Sequence, residues 1–229
     1  MTPALRPAAP GDLRAVALEE VAAVVLLSEA PPPAGADPGA GDSGSGLPWI
    51  LRAAVRRLGL RPPPLLRRTR AGRPYLAHPD GVPWEIDFNI SHSGGLVGIG
   101  LGAGGRVGLD VQEPPARGWE RIGRRWLHPG EWERIEALPP DAGRAAFTRA
   151  WAVREARCKA TGRGLAGFRS PTALPTALPA ADGGRLDGVS WRELPLPGGY
   201  AGALAWAGRD GREWLGRPVV VGWEERCTR

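Results

Sequence analysis

Residues 151–165 read Trp-Ala-Val-Arg-Glu-Ala-Arg-Cys-Lys-Ala-Thr-Gly-Arg-Gly-Leu, and the rest of the chain is interpreted from this stretch. Good helix formers followed by two glycines predict a helix that ends near residue 162. Trp151, Glu155 and Lys159 recur every four residues and therefore share one helix face. Taken alone, the spacing favours a solvated Glu155–Lys159 pair worth about 0.3–0.5 kcal/mol.

Lys159 is the only lysine in the chain of 229 residues, and every other long basic side chain is arginine. Lysine carries its charge on a compact ammonium, whereas arginine spreads it over a wide planar fork. A single lysine in such a composition indicates a place where the fork does not fit. Lys159 is therefore a candidate for a specific role, with the solvated pair as the alternative.

Composition and charge restrict the class of protein. The chain is 42% hydrophobic, which is enough for a globular core, and it has no apolar run long enough to cross a bilayer. No signal peptide is visible, and the two cysteines lack a metal-binding or disulfide-framework spacing. We expect a reduced, cytoplasmic protein without a membrane partner. The net charge of +6 favours an anionic partner: a phosphate compound, a nucleic acid or an acidic protein.

The first third of the chain contains two arginine-rich places. Residues 47–60 predict an amphipathic helix with Arg52 beside its apolar stripe. Residues 67–73 predict a basic turn that could grip an anion or be an ordinary exposed loop. Upstream, residues 13–30 are apolar, and periodicity does not decide between a strand and a buried helix for their second part. Residues 31–48 predict a flexible loop.

Two predicted strands end in polar side chains. Residues 88–95 predict a strand that runs into a turn, where backbone N–H groups beside Ser91 and His92 could hold an anion. A hairpin turn with a surface histidine is the alternative. Residues 105–112 predict a strand with Asp110 and Gln112 on one face, which offers oxygens to a hard cation. Here the alternative is a cap on the following turn.

The remaining segments predict helices and then strands. Residues 118–150 read as two helical pieces broken near Pro139, with the second running into residue 151. Residues 170–180 read as a proline-rich linker. Three strand candidates follow at 189–194, 200–206 and 219–223, and the turn signals between them favour an antiparallel meander.

Four motifs in this order resemble the surfactin-type 4′-phosphopantetheinyl transferases, in the class with a Trp and a Lys-Glu-Ala helix. They are Gly-Arg-Pro at 72–74, Phe-Asn-Ile-Ser-His-Ser-Gly at 88–94, Val-Gly-Leu-Asp-Val-Gln at 107–112 and the stretch 151–165. The resemblance covers about residues 49–165. It implies an α+β fold of two similar α/β halves related by a pseudo-twofold, and we place these halves at residues 1–111 and 112–229.

The resemblance also implies an activity and a site. A monomeric enzyme would transfer the 4′-phosphopantetheine group of coenzyme A to a serine of an apo acyl or peptidyl carrier protein, releasing 3′,5′-ADP. Glu155 and Lys159 would act in catalysis, and Mg²⁺ or Mn²⁺ would be held by Asp110, Gln112 and Glu155. The residues implied to contact coenzyme A are Arg52, Arg73, Ser91, His92, Asp110 and Lys159. Carrier contacts are expected in 118–135, where Trp126 and Leu127 are equally candidates for the core.

Three features depart from the family pattern. Gln112 stands where the family has a second acid, Arg154 stands where it has lysine, and a Pro/Gly-rich loop replaces a basic helix before residue 49. Because of Gln112 and the missing basic helix, a family member that binds coenzyme A or a carrier without turnover remains an alternative. A basic nucleic-acid-binding module is a weaker alternative, because the arginines are spread along the chain and no zinc spacing or RNA-binding aromatic motif is present. We therefore expect no nucleic acid partner.

Overall fold

The structure is a computed structural model, and it describes 51–52, 54–55, 64–70, 72–164, 168, 183–196 and 198–208, with the backbone of 24–28 and 219–222. The strands within these ranges are β1 (Val24–Ser28), β2 (Leu65–Arg68), β3 (Pro74–Ala77), β4 (Ile86–Ser93), β5 (Leu96–Ala103), β6 (Gly105–Gln112), β7 (Gly183–Leu186), β8 (Val189–Glu193), β9 (Ala201–Gly208) and β10 (Val219–Gly222). The helices are α1 (Trp119–Trp126), α2 (Pro129–Glu136) and α3 (Pro140–Thr161). Leu51, Arg52, Ala54 and Val55 are also helical.

The described strands form two four-stranded sheets and one separate hairpin. The first sheet has the order β10-β1-β5-β4, the second has the order β6-β9-β8-β7, and β2 pairs with β3. Neighbouring strands are antiparallel except β1 and β10, which run parallel. The combination of sheets with segregated helices confirms the α+β class.

Strand β6 carries the core of the second sheet on one face and the long helix on the other. Val107, Leu109 and Val111 pack into a buried cluster with Leu204 and others. The opposite face includes Gly108, where an added Cβ would lie 2.0 Å from the carbonyl oxygen of Ala156 in α3. Only glycine therefore allows the backbones of β6 and α3 to approach this closely.

The two sheets meet along β4 and β6 through side chains rather than through a backbone ladder. Every second side chain of β4 accepts a hydrogen bond from a backbone N–H group of β6 or of Glu113, the residue after β6. In each pair the donor residue lies twenty positions after the acceptor residue. The donors are Val107, Leu109, Val111 and Glu113, and the acceptors are Asp87, Asn89, Ser91 and Ser93, at 2.8–3.2 Å. The constant offset means that the two strands run parallel, and it fixes their register in the middle of the molecule.

The helices pack as a layer whose boundaries follow local sequence signals. At the start of α2, His128 and Glu131 form a capping box. Helix α3 is one piece of 22 residues and ends where Gly162 adopts a left-handed conformation with φ 71°.

No helix in the described ranges combines the length and apolarity needed to cross a membrane. Leu127 is buried in a cluster with Trp119, Trp132 and Phe147, which fits the core alternative for this residue.

Several sequence expectations are confirmed and others are wrong. The strands at 88–95, 105–112, 189–194 and 200–206 form, and 24–28 is a strand. The final strand does not extend the meander, because β10 pairs with β1 in the other sheet. Ser91, His92 and Ser93 continue β4 and pair with β5, and the predicted turn follows at Gly94 and Gly95. An anion site beside this turn stays a prediction. Strand β7 was not predicted. The loop 31–48 and the linker 170–180 lie outside the described residues.

The division at 111/112 stays a prediction, but the pairing of the strands bears on it. All of β6, up to Gln112, pairs with β9 in the second sheet. The chain changes sheet at Gly104, which has φ 70° and links β5 to β6. The sheet order therefore favours a boundary near Gly104. It also shows that β10 returns to the first sheet after the second is complete.

Candidate functional site

Helix α3 places Glu155 and Lys159 in the wall of a cavity of about 610 Å³. The predicted sharing of a helix face by these two residues and Trp151 is borne out, since one uninterrupted helix contains all three. Trp151 packs on Phe147 and Phe168, and Phe168 also lines the cavity. Other lining residues come from the β2–β3 turn, β4 and β6: Arg70, Arg73, Asn89 and Arg106.

The ammonium of Lys159 is held where β4, β6 and α3 meet. Its Nζ donates to Asp110 Oδ1 at 2.7 Å, to the Leu109 carbonyl at 3.0 Å and to Ser91 Oγ at 3.2 Å. An ammonium has three donors, so these three acceptors satisfy it. The partner of Lys159 in the structure is thus the distant Asp110, rather than the Glu155 four residues earlier. The solvated-pair interpretation of the 155–159 spacing is wrong.

Asp110 is a buried carboxylate in which one of the two oxygens has no hydrogen-bond partner. The residue is 1% exposed, and its Oδ1 accepts from Ser91 Oγ at 3.0 Å as well as from Lys159. Its Oδ2 is buried without a hydrogen-bond partner. Burial raises the pKa of Asp110 from 3.8 to about 7; Lys159 opposes the rise and Glu155 adds to it. A buried acid with an unpartnered oxygen calls for an explanation beyond packing.

The donor set around Asp110 suits a hard cation. Glu155 lies close enough to Asp110 to raise its pKa by charge repulsion, so two carboxylates share one place. A hydrogen bond between the two acids requires a proton on one of them, and in their ionised forms Oδ2 of Asp110 has no donor. Gln112 lies on the same face of β6, and its Nε2 donates to the Glu113 carbonyl at 3.2 Å. The described residues contain no group of three or more His, Cys, Asp or Glu arranged for a metal ion. The fit therefore rests on two acids and the unpartnered Oδ2, a number of ligands that Mg²⁺ accepts when phosphates and waters complete its shell.

Arg73 has an internal structural role in addition to its place in the cavity wall. Its guanidinium donates to the Lys159 carbonyl at 2.6 Å, to Asp87 Oδ2 at 2.5 Å and to the Val107 carbonyl at 3.0 Å. These contacts tie the last turn of α3 to β4 and β6. Burial raises the pKa of Asp87, and Arg73 opposes that rise. A contact between Arg73 and coenzyme A stays a prediction.

The other predicted ligand residues lie in different surroundings. Ser91 is 6% exposed and bonded to Asp110, Lys159 and the Val111 N–H, so it joins the site as a positioning group. His92 points the other way along the strand and is exposed. Arg52 is half-buried in its helical segment and is not among the described residues that line the cavity. Direct roles for His92 and Arg52 stay predictions.

Sequence reasoning missed three contributions. Arg154 forms a buried ion pair with Glu131 and donates to the Phe168 carbonyl at 3.0 Å, which anchors the helix layer behind the site. Asn89 accepts from the Leu109 N–H at 2.9 Å and lines the cavity. Arg106 lies in the cavity wall. The only signal in the sequence was that Asn89 is the sole asparagine of the chain.

The raised pKa of Asp110 gives a testable pH dependence. Between pH 4 and 7 the folded state, without metal, holds a proton that the unfolded state has lost, so stability falls as the pH rises. One such proton contributes a slope of up to about 1.4 kcal/mol per pH unit. We expect Asp110→Asn to flatten this slope, as measured by urea unfolding in chelator at steps from pH 4 to 8. Asp141→Asn, in an exposed pair, is the control. An unchanged slope in Asp110→Asn would contradict the burial argument.

Known proteins similar to this chain include several transferases. Residues 106–205 match the sequence profile of the 4′-phosphopantetheinyl transferase superfamily. A 4′-phosphopantetheinyl transferase of Escherichia coli K12 is 31% identical over 140 residues, which cover 61% of this chain and 70% of the relative. The Salmonella typhi transferase of the same name is 32% identical over 132 residues, covering 57% and 67%. A Synechocystis protein provisionally named a 4′-phosphopantetheinyl transferase is 35% identical over 97 residues, but the match spans only 39% of its length.

Proposed function

The chain belongs to the 4′-phosphopantetheinyl transferase superfamily, and we propose on that basis that it transfers the 4′-phosphopantetheine group of coenzyme A to a serine of an apo carrier protein. The observation that carries the proposal is the meeting of Asp110, Glu155 and Lys159 beside one cavity. This cluster joins a cation to two acids where β4, β6 and α3 converge. Phosphoryl transfer needs such charge control more than covalent chemistry by the protein.

The proposed reaction is a displacement at the phosphorus atom that carries the pantetheine arm. A bond forms from the carrier serine oxygen to this phosphorus, while the bond to the bridging oxygen breaks and 3′,5′-ADP leaves with the electron pair. Glu155, in the cavity wall, would accept the serine proton. Lys159 would stabilise the charge that develops on the bridging oxygen, after exchanging one of its three internal acceptors for a phosphate oxygen.

Asp110 and Glu155 are the residues that would hold Mg²⁺ or Mn²⁺, with Gln112 as a neutral neighbour on the same strand face. When bound, the ion would neutralise the diphosphate of coenzyme A as a Lewis acid. The unpartnered Oδ2 of Asp110 supports this assignment, because a divalent ion would give that buried oxygen a partner. Ser91 and Arg73 would keep Asp110 and the end of α3 in place around it.

We include the surfactin-type subclass and a monomeric state in the proposal. The spacing of Trp151, Glu155 and Lys159 on one helix supports the subclass. The proposed partners are coenzyme A and an acyl or peptidyl carrier, without nucleic acid.

Transfer can be tested by mass spectrometry on several apo carriers. Carriers of fatty acid, polyketide and peptide synthesis would each be incubated with the protein, coenzyme A and Mg²⁺. The expected result is the added mass of one phosphopantetheine on at least one carrier, and none on the same carrier with its acceptor serine changed to alanine. Binding of coenzyme A without modification of any carrier would instead favour a binding protein without turnover. The neutral Gln112, at a position where the family has an acid, is the reason to consider this alternative.

Gln112 gives a sharper test of the metal assignment. We expect Gln112→Glu to lower the Mg²⁺ concentration for half-maximal transfer by about tenfold, because a full negative charge replaces a neutral amide near the ion. The rate would be measured over a Mg²⁺ titration at constant ionic strength. Glu113→Gln, a charge change at the next residue, is the control, because the Glu113 carboxylate lies beside Gly94. An identical Mg²⁺ dependence in wild type and Gln112→Glu would place residue 112 outside the metal site.

A further inference from the structure

Arg73 holds Lys159 by its backbone, while other groups hold the same residue by its ammonium. Arg73 Nη1 donates to the Lys159 carbonyl at 2.6 Å. Helix α3 ends at Thr161, so this carbonyl is among the last four of the helix, which have no hydrogen-bond donor within it. A guanidinium at this place satisfies a free carbonyl and puts a positive charge at the negative end of the helix. Arg73 therefore caps α3 from outside the helix.

The same guanidinium joins this helix end to strand β6. Its Nη2 donates to the Val107 carbonyl at 3.0 Å. Two residues further along β6, the Leu109 carbonyl accepts a hydrogen bond from Lys159 Nζ at 3.0 Å, and Asp110 follows. Lys159 is thus attached to β6 at both ends, by its own ammonium and, through Arg73, by its carbonyl. The separation of these two attachments determines where the ammonium lies against Asp110.

Asp87 fixes the guanidinium of Arg73 in this position. Its Oδ2 accepts from Arg73 Nη2 at 2.5 Å and from the Val107 N–H at 2.8 Å. The side chains of Arg73 and Asp87 are only 18% and 16% exposed, so the pair is partly shielded from solvent. The backbone of residue 73 is held as well, because its N–H donates to Thr69 Oγ1 at 3.1 Å and its carbonyl accepts from the Thr69 N–H at 2.9 Å. The protein itself therefore holds Arg73 at both its backbone and its guanidinium.

Asp87 lies away from the cluster proposed for catalysis. It precedes Ser91 by four residues on β4, which is roughly 13 Å along an extended strand. It is also not among the described residues that line the cavity. An effect of Asp87 on the chemical step would therefore have to pass through Arg73 and α3.

We propose that Asp87 is a positioning residue for the transfer reaction: by holding Arg73 it fixes the last turn of α3 on β6 and thereby places the ammonium of Lys159. The inference rests on the proposed function, in which Lys159 stabilises the charge that develops on the bridging oxygen. A misplacement of about 1 Å in such a group can cost about hundredfold in rate. The effect should appear in kcat, because Asp87 lies outside the described cavity lining.

The proposal can be tested by comparing Asp87→Ala and Glu193→Ala with wild type. Glu193 is the matched control, because it is also a partly shielded carboxylate that ties α3 to a strand through an arginine. It accepts from Arg149 at 2.7 and 3.0 Å, and Arg149 lies ten residues before Lys159 in the same helix. Thermal unfolding would verify the fold, and kcat and KM for coenzyme A would be measured with an apo carrier.

The position of the ammonium can be followed by NMR without turnover. Lys159 is the only lysine of the chain, so incorporation of isotope-labelled lysine gives one side-chain ammonium signal. The rate at which its protons exchange with water would be measured without coenzyme A or metal. This rate reports how well the three internal acceptors hold Nζ.

We expect Asp87→Ala to lose about tenfold to hundredfold in kcat, with KM for coenzyme A within about twofold of wild type. Exchange of the Lys159 ammonium protons should become about tenfold faster, because the three acceptors no longer align with the donors. Glu193→Ala should match wild type in kcat, KM and exchange rate.

A second variant keeps the test decisive if Asp87→Ala does not fold. Arg73→Lys retains a positive charge beside Asp87, but a single ammonium cannot serve acceptors that two separate nitrogens serve in wild type. The same loss of kcat and the same faster exchange are expected for it.

Other outcomes would overturn the inference. A higher KM with unchanged kcat would mean that the pair serves coenzyme A binding. Equal kcat losses in Asp87→Ala and Glu193→Ala would mean that any loosening of α3 has the same effect, and an unchanged exchange rate would mean that Lys159 is placed without Asp87. If wild type modifies no carrier but exchange is faster in Asp87→Ala and not in Glu193→Ala, the proposed function fails while the placement of Lys159 by Asp87 is supported.

Discussion

Lys159→Arg is expected to lower kcat by about 10²–10³ although the charge is retained, because an oriented cation at a developing charge is lost. Nζ of Lys159 is placed by Asp110, the Leu109 carbonyl and Ser91, three acceptors that converge on one point. A guanidinium is planar and wider, and it cannot direct three donors at one point in this way.

The close packing of α3 on β6 leaves little room at the base of the Lys159 side chain. An added Cβ on Gly108 would be 2.9 Å from Lys159 Cβ and 2.0 Å from the Ala156 carbonyl oxygen, which shows how closely α3 lies on β6. We therefore expect Lys159→Arg also to cost about 1–3 kcal/mol of stability, as overpacked sites do. If Glu155 and Lys159 formed only a solvated pair, Lys159→Arg would change the stability by less than about 0.5 kcal/mol.

Thermal unfolding and kcat should be measured on one preparation, well below the unfolding temperature. Arg134→Lys, an arginine-to-lysine exchange on the exposed face of α2, is the control for a charge-conserving change. Its kcat should equal that of wild type. If Lys159→Arg retains the wild-type kcat with coenzyme A and a carrier, Lys159 has no catalytic role and its uniqueness is an accident of composition.

Glu131→Gln is expected to lower the free energy of unfolding by about 3–5 kcal/mol, because it leaves Arg154 buried without a counter-charge. Both side chains of this pair are almost completely buried, with 0% and 1% exposure. Glutamine keeps the volume of glutamate and can still accept the His128 N–H in the capping box. The variant thus removes the charge with little other change.

Urea unfolding of Glu131→Gln, Arg154→Met and the double variant would measure the coupling of the two residues. The double variant should be less destabilised than the sum of the single ones, since no unpaired charge remains. Arg144→Met is the control: it breaks the exposed Arg144–Asp141 pair and should cost under about 0.5 kcal/mol. Additive effects at 131 and 154 would show that the two charges are solvated and independent.

Local patterns were sufficient for a large part of the fold and for the orientation of the site residues. The four-residue spacing of Trp151, Glu155 and Lys159 depends only on the helical period, and one helix carries all three. Strand alternation likewise placed Asp110 and Gln112 on one side of β6. Helix ends followed from short-range chemistry, namely the His128 cap and the left-handed Gly162.

Partners far apart in the chain could not be deduced from those periods. The helical period predicts which way Lys159 points but not that Asp110, 49 residues earlier, receives its charge. The parallel contact of β4 with β6 and the return of β10 to β1 depend on how whole sheets meet. The sequence does not indicate where the side chains of Arg154 and Arg106 lie. Packing buries Arg154 and leaves Arg106 in the cavity wall. Periodicity orients a side chain relative to its own element, whereas burial, pairing and pKa depend on the elements that pack against it.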